Sequence, residues 1–138
     1  MSNKPGIAYF EWIGDNNPGA SGLSNNPMGK PSYAKPIDKL HKVNLITIDS
    51  LQLKQLDFIK LDVEGYEINI IEGGLDTIKK YNPIITLEVY ENFTGKFSLE
   101  HATNRFKLLI DNGYSIHHIQ GPDFLFLPHH LSVEKKNT

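Results

Sequence analysis

Two short runs, LDFIKLDV at 56–63 and PIITLEV at 83–89, are apolar at most positions. Runs of this length and β-branched content read as strands, and their lack of alternation predicts burial on both faces, as in a parallel sheet. Between them lies EGYEINIIEGGLDTIKKY, where Ile68, Ile71, Leu75 and Ile78 recur at spacings of three, four and three. That is the stripe of one helix face. Gly73 and Gly74 interrupt it, so two helical pieces or a bend are expected. Lys79 and Lys80 suit the negative end of the helix dipole, and Asn82-Pro83 ends the helix.

The same reading extends outward. VNLITID (43–49) is β-branched and apolar and reads as another strand. A second helix is expected from Leu99 to Asp111, with Ser98 as its N-cap and Asn112-Gly113 as its stop. Leu99, Ala102, Phe106 and Leu109 form its inward stripe. YSIHHI (114–119) and FLFLP (124–128) are joined by only Gln120-Gly121-Pro122-Asp123, too short for a parallel crossover, so they form an antiparallel hairpin. From Leu56 onward the order is strand, helix, strand, helix, strand, strand. This is an α/β chain with a mostly parallel sheet that ends in an antiparallel hairpin.

Before Lys42 the texture differs. Ile7 to Ile13 reads as a strand, and Gly, Pro, Asn and Ser fill 15 of the 23 positions from Gly14 to Pro36. Each of these types favours turns, and a loop of this length is usually functional or mobile. The 138 residues fit one domain: residues 1–42 as strand and loop, 43–131 as the α/β core, 132–138 as a polar tail. Hydrophobic residues at 39% and charged residues at 22% are ordinary for a globular chain. A net charge of −2 argues against a nucleic-acid binder. Without cysteine there is no disulfide, thiol catalysis or Cys-zinc site. No signal peptide or membrane-spanning run is visible, so the chain is expected in the cytoplasm.

Ligands of open α/β sheets bind outside the carboxyl ends of the strands. Two strands here end in acid. Lys60, Asp62 and Glu64 share one parity and project to one side, a costly arrangement unless the charges pair or line a wet crevice. Glu64 and Gly65 then open a helix, whose N–H groups favour negative charge. The other strand ends at Glu88, with Glu91 beyond. Adjacent parallel strands bring Asp62, Glu64 and Glu88 to one edge. A plainer assignment is a salt bridge from Lys60 to a carboxylate and a cap role for Glu64.

KLDVEGYEINIIEGG, preceded by LITIDSL and followed by PIITLEVYEN, resembles the FkbM-type methyltransferases. The matching positions are Thr47, Ile48 and Asp49; Lys60, Asp62, Glu64, Gly65, Tyr66 and Glu67; Gly73; Pro83; and Glu88. The resemblance is dense from Val43 to Glu91 and looser on both sides. It implies a Rossmann-like class I methyltransferase sheet and transfer of a methyl group from S-adenosylmethionine to a hydroxyl of a small acceptor, a sugar or natural product. On this basis Asp62, Glu64 and Glu88 are the catalytic candidates, with Asp62 or Glu64 accepting the hydroxyl proton. Lys60, Tyr66 and Asp49 are the substrate-binding candidates, and Asp62 is also a candidate contact to the cofactor. In such enzymes the cofactor rests on a Gly-rich turn after the first strand. No such turn is visible: PGASGL (18–23) follows no buried strand, and Pro27, Pro31 and Pro36 forbid a helix after it. The resemblance therefore covers the C-terminal part of the enzyme, with the first strands and the cofactor turn missing. The alternative is a non-catalytic truncated paralogue, or the distal half of a split enzyme that needs a partner chain. The free side of strand 57–63 points to self-association or a partner.

Metal chemistry at His117-His118 and His129-His130 is disfavoured, since neighbours in a strand point to opposite faces. The Asn92-Phe93-Thr94 glycosylation pattern has no role without secretion. Trp12 and Tyr9 suit core or interface packing more than sugar stacking.

Overall fold

The computed structural model describes residues 1–11, 22–24, 40–63, 65–91 and 96–131. The main sheet holds β4 (Phe58–Leu61), β5 (Ile84–Glu88), β6 (Tyr114–Gln120) and β7 (Asp123–Pro128). Its order is β4-β5-β7-β6. β4 and β5 pair in parallel, with Phe58 beside Ile84 and Leu61 beside Leu87. β7 lies antiparallel to β5 and to β6, so β7 alone is reversed within this sheet. The two-residue turn Gly121-Pro122 closes the hairpin, with Gly121 at φ +49°.

The segment between β4 and β5 folds as two short helices, α1 (Glu67–Glu72) and α2 (Leu75–Tyr81). Gly73 and Gly74 separate them for a packing reason. A Cβ on Gly73 would lie 1.9 Å from the Ser2 carbonyl oxygen, and one on Gly74 would lie 2.8 Å from Cβ of Ile48. The N-terminal segment thus runs directly over the junction. Ser2 is buried there and its N–H donates to the Ile46 carbonyl at 2.8 Å. Asn82, at φ +49°, ends α2.

After β5 come α3 (Leu99–Arg105) and α4 (Lys107–Asp111), with Phe106 departing from helical angles between them. Ser98 caps α3 by accepting the His101 N–H at 3.1 Å. Ala102, Phe106 and Leu109 are fully buried as expected. Leu99 is not: as the first residue of α3 it stands ahead of the core and is 51% exposed.

Expected burial on both sheet faces is corrected. Exposure alternates along β4, β5 and β7. Ile59, Leu61, Ile85, Leu87, Phe124 and Phe126 join one cluster with Ile70, Ile71, Ile78, Ala102 and Leu109 from all four helices. The helices therefore cover one face, and the other carries the half-exposed alternate residues.

A second sheet has β1 (Gly6–Glu11) between β2 (Gly22–Ser24) and β3 (Leu40–Leu45), all antiparallel. β2 lies within the stretch read as loop. β3 ends before the expected Asp49. There Thr47 and Ser50 bond each other's backbone: Ser50 N–H donates to Thr47 Oγ1 at 3.0 Å and Ser50 Oγ to the Thr47 carbonyl at 2.7 Å. Such local bonding outcompetes a strand and starts a 3₁₀ turn at Asp49–Leu51. Trp12, Ile13, PGAS (18–21), Asn92-Phe93-Thr94 and the tail from residue 132 lie outside the described residues.

Candidate functional site at the carboxyl edge of the main sheet

Parallel pairing places the ends of β4 and β5 at one edge, so Asp62 follows Leu61 at the level of Glu88. The β5–β7 register sets Glu88 directly opposite Asp123, and Val89 N–H donates to the Pro122 carbonyl at 2.9 Å. Three acids on adjacent strands thus mark this edge. Asp123 escaped the sequence reading because its place depends on a pairing register; its only signal is the turn before it.

Lys60 and Asp62 project together as their parity requires, and both are exposed. Lys60 Nζ lies 3.7 Å from Asp62 Oδ2. The two charges meet the cost of their placement by pairing in water rather than in a buried crevice.

Gly65, at φ +94°, turns the chain toward α1. Glu67, expected only as part of the motif, organises this turn. Its carboxylate is buried and accepts the N–H of Val63 at 3.1 Å and of Gly65 at 3.2 Å. The helix opens at Glu67 rather than at Glu64-Gly65, and two amides of the turn ahead of it are held by the chain's own acid. Tyr66, half-buried at the start of α1, donates its N–H to Val63. Arg105 Nη2 donates to the Gly65 carbonyl at 3.2 Å, tying α3 to the same turn. Glu64 lies outside the described residues.

Asp49 is placed elsewhere. Its carboxylate accepts the Thr77 N–H at 2.8 Å, the Thr77 hydroxyl at 2.7 Å and the Asp76 N–H at 3.4 Å, which caps α2. It borders an open depression of about 340 Å³ shared with Gln52, Leu53, Lys80 and Tyr81. The structure thus groups Lys60, Asp62, Glu88 and Tyr66 around the edge and sets Asp49 at the start of α2.

Among the described residues no group of three or more His, Cys, Asp or Glu is placed to hold a metal ion. His117 contacts Ser115 Oγ at 3.1 Å, and His118 packs on Phe97 and Phe124.

The model of the methyltransferase FkbM domain matches residues 3–119. The chain belongs to the FkbM methyltransferase family. The match begins before β1, well ahead of the dense motif around KLDVEGYE, so the second sheet falls within the FkbM domain too. No curated protein and no solved structure matches the chain. Membership implies a methyltransferase fold and a methyltransferase-like function for this mixed α/β chain.

S-adenosylmethionine, which the family typically uses, finds an incomplete fit here. At this edge Asp62 offers an exposed acceptor for a ribose hydroxyl or an ammonium group. The amides of Val63 and Gly65 are taken by Glu67. The depression at Asp49 is not at this edge. No helix among the described residues is long and apolar enough to cross a membrane.

Proposed function

We propose that this FkbM domain binds a small hydroxyl-bearing acceptor, of the sugar or natural-product kind, at the carboxyl edge of the main sheet, for methylation on oxygen with S-adenosylmethionine as donor. The observation that carries this reading is the row Asp62, Glu88 and Asp123 on three adjacent strands of a family-assigned methyltransferase sheet. Asp62 accepts the proton of the reacting hydroxyl, a role suited to an exposed carboxylate at hydrogen-bond reach of an incoming ligand. Glu88 and Tyr66 orient the acceptor, and Lys60 lies beside Asp62 at 3.7 Å. Glu64 belongs to the same proposal through the family motif. Asp49 acts at a distance, by fixing α2. Positioning supplies most of the rate in such a displacement.

A second reading rests on the incomplete cofactor fit: the chain is a non-catalytic paralogue, or works only with a partner chain that completes the cofactor site. Calorimetric titration with S-adenosylmethionine separates the two. Saturable binding to the purified chain, abolished in Asp62→Ala, supports catalysis by this chain. No heat at millimolar cofactor ends the stand-alone version and leaves the partner-dependent one.

A further inference from the structure

β4 forms one edge of the main sheet, and among the described residues nothing pairs with its outer side. One bond fixes which backbone groups point there. Ile84 N–H donates to the Asp57 carbonyl at 2.9 Å. In a parallel ladder this turns Asp57, Ile59 and Leu61 toward β5. The N–H and C=O groups of Phe58, Lys60 and Asp62 therefore face outward. Phe58 is 54% exposed, and Lys60 and Asp62 meet each other in solvent. A strand edge left in this state templates another strand.

We propose that a second copy of this chain pairs with that edge, antiparallel, about a two-fold axis at Leu61. In this register Lys60 of each copy lies opposite Asp62 of the other. The two residues are an outward-facing pair, so they exchange both backbone bonds on each side of the axis. Two reciprocal ion pairs replace the intrachain contact. Leu61 meets Leu61 on the inner face, which carries the core across the axis. Charge selects this register over its neighbours. Centring on Lys60 sets two lysines face to face, and centring on Ile59 leaves Asp62 opposite Leu56. Slips by one residue move the inner face outward. The pairing also makes the carboxyl edges contiguous, so Lys60 of one copy stands beside Asp62 of the other.

Sedimentation equilibrium from about 10 µM to about 1 mM tests this. The wild type is expected to dimerise with concentration, more weakly as salt rises. Lys60→Glu and Asp62→Lys each set like charges opposite one another and raise the dissociation constant at least tenfold; the double variant restores it. A wild type that stays monomeric, or a double variant that fails to restore the dimer, overturns the proposal. An independent readout needs no variant: a mixture of isotopically heavy and light chain is treated with a carbodiimide. Lys60–Asp62 cross-links joining one heavy and one light chain are expected, and links within single chains alone overturn the pairing.

Discussion

Asp49 holds Thr77 by two bonds at once, one to its backbone N–H at 2.8 Å and one to its hydroxyl at 2.7 Å. The residues are 28 apart in sequence, so this pair pins the turn after β3 to the first turn of α2. Asp49→Ala strips a helix start of its acceptor and is expected to lower stability by about 1–2 kcal/mol. Thr77→Val removes one of the two bonds and should cost about half as much. Urea midpoints of the two variants check the ranking.

Glu67 gives a sharper test, because its carboxylate is the partner of two backbone amides. Glu67→Ala is expected to cost about 1–3 kcal/mol. Glu67→Gln keeps an acceptor oxygen of the same reach and should retain most of the stability. Amide hydrogen exchange at Val63 and Gly65 should accelerate in the first variant and change little in the second.

Two glycines should fail for different reasons. Gly73→Ala drives a methyl group into the Ser2 carbonyl, at a cost of about 1–3 kcal/mol. Gly113 has open space around it but sits at φ +88°, so Gly113→Ala costs about 1 kcal/mol through backbone strain alone. Deleting residues 1–5 should abolish most of the first penalty and leave the second unchanged, as thermal melts of the paired variants would reveal.

Tyr114 makes stability fall in alkali. Its hydroxyl is buried and donates to the Pro83 carbonyl at 2.8 Å, and burial pushes its pKa up from 10.0 to about 12. The folded state keeps the proton where the unfolded chain loses it. Its contribution is complete below pH 10 and is lost as pH rises from about 10 to 12. The loss is on the order of 2 kcal/mol. Tyr114→Phe is expected to be less stable at neutral pH and to flatten this slope in urea titrations between pH 9 and 12.

The strand–helix–strand unit around KLDVEGYE was legible because its apolar spacing and its two glycines are local signals. Ser98 and Gly113 were legible for the same reason. What escaped depends on partners far along the chain. The run around β4, mostly apolar, looked buried on both faces, yet all four helices join a cluster on one side, and no local pattern says which face a helix will take. β3 stops early because the side chains of Thr47 and Ser50 compete for the backbone. At the edge, Asp62 and Glu88 were found from strand ends, whereas Asp123 needed the hairpin register and Glu67 needed the geometry of the turn it closes.

Ser2 rests against Gly73 and bonds Ile46. That contact sets an order of events during synthesis. Ser2 leaves the ribosome long before its seat between α1 and α2 exists, and it waits for some seventy more residues to emerge. Docking of Ser2 thus has to await the helix junction, and whatever lies ahead of Ser2 has to remain clear of that junction.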